Sequence, residues 1–242
     1  MSNVNQNIVN QIAPTGILRV GINLGNPILA GLDPSTKEPI GVSVDLALEL
    51  ANQLNIKATF KSYQKASDTI DSLKSGDSDL IFVAVDPVRG KELAYSSAYI
   101  QIEGAYMVRD NSSITSNESV DQTGNHIVVG KGSAYDLYLT RELKNASIVR
   151  ANSSQDVLDD FMNSSYEVAA GVKQQLEMDA KRYKNLRMLP GRFMVINQAM
   201  AVAKDRTISA EYLNTFIQQM KESKFIQSSL INHNIQGATV AQ

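Results

Sequence analysis

The sequence predicts an α/β protein of two similarly built lobes, each a mostly parallel sheet with helices on both faces. Two observations lead to this fold class: strands and helices alternate along the chain, and the alternation occurs twice. The 242 residues, 43% of them hydrophobic, are enough for one large domain or two small ones. Because no low-complexity linker separates the two series, strands are expected to join the lobes.

The first series begins with a strand in which Leu18, Val20 and Ile22 alternate with other residues. A helix with apolar residues at helical spacing follows, and a continuous apolar run at 80–85 predicts a strand buried on both faces. In chain order the elements are a strand at 17–23, a helix at 41–55, a strand at 57–63, a helix at 67–76 and a strand at 80–85.

The second series repeats the pattern. Its strands are predicted at 126–130, 147–151 and 166–172, its helices at 133–144, 154–164 and 174–183, and the segment 186–191 closes it. A last strand at 199–204 and an amphipathic helix at 210–223 complete the chain.

Composition argues against several functional classes. The 23 basic and 25 acidic side chains nearly balance, so no basic excess predicts a nucleic-acid partner. The absence of cysteine excludes disulfides, a thiol nucleophile and a zinc–thiolate site. His126 and His233 have no other ligands at metal-binding spacing, so neither a metal nor a cofactor is expected.

The sequence leaves the cellular location open. No segment approaches the roughly 20 apolar residues of a membrane helix, so no membrane insertion is expected. Residues 1–16 contain neither Lys nor Arg and no apolar run of signal-peptide length. The protein is therefore expected to be periplasmic, with its signal removed from this chain, or cytoplasmic if this N-terminus is native.

Five segments, in this order and spacing, resemble the family 3 solute-binding proteins, which serve polar amino-acid ABC importers. They are GILRVGI, GVSVDLALELANQL, LKSGDSDLIFVAVDPVRGKELAYSSAYI, GKGSAYDLYLT and LPGRFMVINQAMAVAK. The resemblance covers roughly residues 16–235. It implies a monomer that closes around a small carboxylate-bearing ligand, either amino acid-like or an organic acid, and delivers it to an ABC permease.

The resemblance also implies how the chain is divided. It corresponds to a two-lobed, type II periplasmic-binding-protein-like fold. The first lobe would comprise residues 1–105 plus 200–242, and the second residues 106–199. Two crossing strands, near 100–107 and 195–201, would form the hinge.

Arg89 is the first candidate binding residue. It follows the apolar run 80–85, at the carboxyl end of a parallel strand, where such sheets bind ligands. Its guanidinium offers paired donors that match a carboxylate, and in the family the matching arginine binds the α-carboxylate of the ligand. The alternatives are a solvated loop arginine or one held by a structural acid.

The loop GKGSAYD is the second candidate. It joins a strand to a helix, so Gly132 and Ser133 lie where free N–H groups and the helix dipole attract an anion, and Lys131 adds a positive charge. The resemblance implies that this loop binds the same carboxylate from the second lobe, with Arg89 and Ser133 facing each other across a cleft. The alternative is a glycine turn with a serine cap.

Three departures from the family pattern affect the expected ligand. Ala84 and Asp86 stand where the family has Ser and Thr before the arginine. Val172, followed by Lys173, stands where the family has an Asp that pairs with the α-ammonium of the ligand. Glu103 replaces a small residue of the hinge strand.

These departures have three interpretations. Either the ligand has no α-amino group, or Asp86 and Glu103 accept it instead. Alternatively, Asp86 pairs with Arg89 as a loop brace, Glu103 faces solvent, and Lys173 is a surface charge.

Weaker candidates complete the expected site. Asn23 and Asn26 follow the first strand, where the family contacts the ligand side chain, although turn chemistry explains them equally well. Gln198 precedes the last strand, and core packing is favoured for Tyr99 and Tyr135.

Two other functions remain open from the sequence. One is a cleft enzyme, such as a dehydratase or decarboxylase, with Lys173, Glu103 and Asp86 as its acid/base set. The other is a sensor domain without catalysis.

Overall fold

The computed structural model describes residues 6–242. The helices are α1 (Gln6–Ile12), α2 (Val42–Leu54), α3 (Ala66–Lys74), α4 (Ala134–Glu142), α5 (Val157–Met162), α6 (Lys173–Ala180), α7 (Thr207–Glu222) and α8 (Phe225–Asn232). The strands are β1 (Ile17–Asn23), β2 (Gly31–Leu32), β3 (Pro39–Ile40), β4 (Lys57–Tyr63), β5 (Leu80–Ala84), β6 (Leu93–Tyr95), β7 (Ile100–Arg109), β8 (His126–Gly130), β9 (Ser147–Ala151), β10 (Val168–Val172), β11 (Leu186–Met188), β12 (Met194–Ala203) and β13 (Thr239–Val240).

The chain divides into two compact units. The first contains the residues up to 101 together with 197–242, and the second contains 102–196. The chain passes between the units within β7 and again within β12, so strands connect them.

The first unit is built on the sheet order β4-β1-β5-β12. β1 is parallel to both β4 and β5, as the alternation of strands and helices predicts, whereas β12 runs antiparallel to β5. All five residues of β5 are buried. One apolar cluster packs α3 against this sheet through Ile70, Leu73, Ile81, Val83, Leu93 and Ala201.

The second unit has the order β7-β10-β8-β9. β8 is parallel to β9 and β10, and β7 is antiparallel to β10. Its core joins the sheet to α5 and α6 through Met107, Val128, Ala151, Val157, Leu158, Phe161, Ala169 and Leu176. Each unit therefore has its own hydrophobic core around a largely parallel sheet.

The structure shortens one predicted helix and adds others. The helix expected at 154–164 is only α5, because Asp156 closes a turn before it: its N–H donates to Ser153 O, and Ser153 Oγ donates to its carboxylate. α1 and α8 were not predicted. α8 is separated from α7 by Lys224, whose left-handed backbone (φ 60°) the residue type does not signal. Within residues 6–242 no helix is both long and apolar enough to cross a membrane.

Candidate functional site

The carboxyl end of the first unit's sheet brings several candidate residues to one edge. β1, β4 and β5 are parallel, so Asn23 and Ala84, which end β1 and β5, lie at the same edge. The antiparallel β12 places Gln198 opposite Ala84. This is the edge at which α/β sheets bind ligands.

Arg89 lies just beyond this edge, in a short 3₁₀ turn at Arg89–Lys91. Its side chain is buried, with the residue only 6% exposed, and Nη1 donates to Ala84 O at 3.2 Å. Burial lowers the pKa of Arg89, and the attraction of the Asp86 carboxylate does not offset this effect. The guanidinium is therefore a desolvated cation that an arriving anion would stabilise.

Asp86 shapes the turn that carries Arg89. Its Oδ1 accepts the N–H of Val88 at 2.8 Å and the N–H of Arg89 at 3.4 Å. Tyr95 packs beside this turn, and burial raises its pKa to about 12, so its phenol is neutral at physiological pH. In this arrangement Asp86 braces the loop through backbone N–H groups.

Asn23 and Asn26 both form turns with their side-chain oxygens. Asn23 Oδ1 accepts the N–H of Gly25 at 2.9 Å, and Asn26 Oδ1 accepts the N–H of Ile28 at 3.3 Å. Turn chemistry thus accounts for their acceptor atoms. Within residues 6–242, the side-chain NH₂ groups of these two asparagines donate no hydrogen bond.

The second unit also gathers its candidates at one edge of its sheet. Gly130 ends β8 and Val172 ends the parallel β10. In the antiparallel β7, Gly104 lies opposite Val172, which brings Glu103 to the same end of the sheet as Lys173. The loop after β8, the start of α6 and the start of β7 therefore meet at this edge.

The loop after β8 is held by a reciprocal cap at the start of α4. Ser133 Oγ accepts the N–H of Asp136 at 3.1 Å, and the Asp136 carboxylate accepts the N–H of Gly132 at 2.8 Å. Two further N–H groups of the loop are also used, because Lys131 donates to Ala151 O and Ser133 donates to Gly130 O. The Gly132 N–H, expected to meet an anion of the ligand, instead meets Asp136.

Asp136 and Gly130 explain why this loop has a fixed shape. Asp136 is 3% exposed, and Arg150 Nε lies 3.0 and 3.1 Å from its two oxygens. A Cβ at Gly130 would come within 2.7 Å of both Ser154 and the Tyr135 hydroxyl. Packing inside the second unit therefore requires this glycine. The capping pattern S-A-Y-D was readable in the sequence, and it is the signal that identifies Asp136.

Glu103 and Lys173 form part of a charged triad in the second unit. Glu103 Oε1 accepts a hydrogen bond from Arg192 Nη1 at 2.7 Å, and Oε2 accepts one from Lys173 Nζ at 3.4 Å. The hydrogen bond from Arg192 is the main cause that lowers the pKa of Glu103. Neither Glu103 nor Lys173 is a lone surface charge. Arg192 was not predicted, because its spacing from Glu103 along the chain carries no local signal.

Aromatic side chains line the neighbourhood of this triad. Phe193, next to Arg192, stacks on Tyr106 with ring centroids 4.3 Å apart, and Tyr138 lies 6.1 Å from Phe193. A Cβ at Gly104 would come within 2.9 Å of Phe193. The glycine beside Glu103 is thus needed for the close approach of this ring.

The remaining candidates have structural partners. Tyr99 is fully buried, and its hydroxyl lies 3.1 Å from Ser43 Oγ, so it belongs to the core. His126 pairs with Glu167, and His233 pairs with Asp45. Among residues 6–242, no cluster of three or more His, Cys, Asp or Glu side chains could hold a metal ion.

Comparison with known families identifies the chain. The sequence profile of the bacterial extracellular solute-binding proteins, family 3, matches residues 18–230. The chain belongs to this family. Membership confirms the predicted family and the predicted function as a solute-binding protein. No curated protein matches the chain by sequence.

Solved structures confirm the fold of this family 3 protein. A mutant of ArgBP from T. maritima is 21% identical, with a TM-score of 0.76 over 93% of this chain and 98% of that chain. Cysteine-Binding Protein from Campylobacter jejuni is 20% identical, with a TM-score of 0.77 over 95% and 92%. The ancestral amino acid-binding protein AncCDT-1, a precursor of cyclohexadienyl dehydratase, is 20% identical, with a TM-score of 0.77 over 94% and 99%.

Proposed function

We propose that this family 3 protein binds a small carboxylate-bearing solute for ABC import and releases it chemically unchanged. The similar structures support a small ligand, since their names describe proteins that bind amino acids such as arginine and cysteine. A periplasmic location, a monomeric state and an ABC permease as partner belong to this proposal.

The observation that carries the proposal is the burial of Arg89. The guanidinium lies just beyond the carboxyl end of β5, at the edge where α/β sheets bind ligands, and a buried cation there favours an anionic ligand. A ligand carboxylate could accept paired hydrogen bonds from the guanidinium. Asp86, by binding the N–H groups of Val88 and Arg89, holds the turn in the shape that presents Arg89.

Other assignments made from the sequence stay predictions. Ser133 and Lys131 are proposed ligand contacts of the second unit, and Asn23 and Asn26 are proposed contacts of the first through their amide donors. The hinge role of the two crossing strands and the expected cleft that Arg89 and Ser133 face also stay predictions.

A second candidate function is a dehydratase-like enzyme. The similarity to AncCDT-1, a precursor of a dehydratase, is the reason to consider it. Its acid/base set would be Lys173, Glu103 and Asp86. A general acid works best when its pKa is near the working pH, whereas the pKa of Glu103 is lowered. The Asp86 carboxylate is engaged by backbone N–H groups. These contacts favour binding over catalysis.

A calorimetric screen of the intact protein tests the proposal. Small organic acids and amino acids would each be titrated beside the primary amide made from the same acid, in which an uncharged amide group replaces the carboxylate. We expect the acid to bind and its amide to bind at least about 30-fold more weakly. Equal binding of acid and amide would contradict a carboxylate ligand, and conversion of the bound acid, followed by NMR, would contradict simple binding.

A further inference from the structure

The charged triad at the second unit's sheet edge carries more positive than negative charge. Lys173 and Arg192 lie within 3.4 and 2.7 Å of a single carboxylate, that of Glu103. All three side chains are partly exposed, at 35%, 54% and 31% respectively, so a solute can reach them. The triad has two cations and one anion, a net charge of one positive.

Lys173 retains hydrogen-bonding capacity in this triad. Arg192 holds Glu103 in the shorter contact, 2.7 Å, while the contact from Lys173 Nζ is a long 3.4 Å. An ammonium group has three N–H donors. Within residues 6–242, Lys173 Nζ donates one hydrogen bond, to Glu103. Donors of Lys173 thus remain for an acceptor on a ligand.

An ammonium group of a ligand would meet a net positive charge here. Val172 ends β10 beside Lys173, is 6% exposed, and has no acceptor in its side chain. Both oxygens of Glu103 already accept hydrogen bonds, from Arg192 and Lys173. A ligand ammonium at this edge would be repelled by two cations, whereas an anionic group would be attracted by them.

We propose that this edge receives an acidic group of the ligand, bound by Lys173, which Glu103 and Arg192 hold in position. The inference rests on the proposed function and names the ligand class. The preferred solutes are acids whose other polar group is also acidic, such as dicarboxylic acids, and not zwitterionic α-amino acids.

Matched pairs of ligands test this inference on the unmodified protein. Each common α-amino acid is titrated by calorimetry beside its deaminated acid, for example L-glutamate beside glutarate and L-aspartate beside succinate. In every pair that binds, we expect the deaminated member to bind at least about tenfold more tightly, and the tightest ligand to carry two acidic groups.

The outcomes separate this inference from the proposed function. If the amino acid of a pair binds as tightly as its deaminated acid or more tightly, the inference is wrong while carboxylate binding stands. If no acid of either kind binds, both the proposed function and the inference are wrong.

Two variants and one control test whether Lys173 and Val172 determine this ligand preference. Lys173→Met should weaken binding of the deaminated acid at least tenfold, whereas Lys181→Met, at the other end of α6, should leave it unchanged. Val172 is the N-cap of α6 and makes no side-chain cap. Val172→Asp therefore places a carboxylate where helices favour aspartate, and it should shift the preference of each pair toward the amino acid.

Thermal melting checks that each variant is folded, and Val172→Asp carries the test if Lys173→Met does not fold. Unchanged affinity in folded Lys173→Met, or unchanged preference in folded Val172→Asp, would overturn the inference.

Discussion

The two ends of the first unit's sheet differ in how their arginine side chains are paired. Near the amino end of β5, Asp79 is fully buried and accepts two hydrogen bonds from the Arg19 guanidinium, both 2.8 Å long, while Arg206 lies 3.3 Å away. The hydrogen bond to Asp79 raises the pKa of Arg19. Beyond the carboxyl end of the same strand, burial lowers the pKa of Arg89.

We relate this difference to fold stability at the amino end and to the proposed ligand binding at the carboxyl end. At the amino end, the chain itself supplies the carboxylate that compensates its arginines. At the carboxyl end, Arg89 is buried at the edge where α/β sheets bind ligands, and in our proposal the ligand supplies the anion. The same strand, β5, thus separates an end built for stability from an end suited to a ligand.

The largest expected effect is at the amino end. Asp79→Asn would leave Arg19 and Arg206 without a buried carboxylate, and we expect a loss of about 3–5 kcal/mol in the free energy of unfolding. Urea denaturation measures it. Asp77→Asn is the matched control, since Asp77 is 59% exposed and only 3.6 Å from an exposed Lys61; its cost should be below about 1 kcal/mol. Equal costs for the two variants would remove the distinction between the ends.

A smaller effect is expected in the second unit, where the charges of the triad compensate one another near the surface. The pKa of Glu103 is lowered in the folded protein, so its contribution to stability is present above the unfolded-state pKa and is lost as pH falls through the folded-state value. Glu103→Gln should reduce stability at pH 7 by less than about 1 kcal/mol.

The same reasoning fixes the pH dependence of the Glu103→Gln effect. The difference from the unchanged protein should disappear well below the ordinary glutamate pKa of 4.5. Urea denaturation at neutral and acidic pH would show it. A difference that persists in acid would mean that Glu103 stabilises the fold without its charge.

Much of this fold could be predicted because its signals are local. Alternating strands and helices indicated parallel sheets, and the parallel sheets are found in both units. Arg89 could be singled out because it follows a continuous apolar run, β5, and the carboxyl end of such a strand is a known position for ligand contacts.

The parts that could not be predicted depend on contacts distant in sequence. Arg192 reaches Glu103 across 89 positions, through the packing of segments that no spacing rule relates. The helix α8 depends on a left-handed Lys224, a conformation that lysine rarely adopts. The use of the Gly132 N–H by Asp136 is different, since the capping pattern was local and readable.

The central claim is that Arg89 serves the ligand and not the fold, and paired measurements on Arg89→Met test it most directly. Affinity for the acid found in the calorimetric screen and the free energy of unfolding are measured on this variant and on Lys91→Met, a change in the same turn. We expect Arg89→Met to bind at least about 30-fold more weakly with stability unchanged or increased, because a buried charge is removed, and Lys91→Met to alter neither. Unchanged affinity in Arg89→Met, or a loss of stability as large as that of Asp79→Asn, would contradict the account.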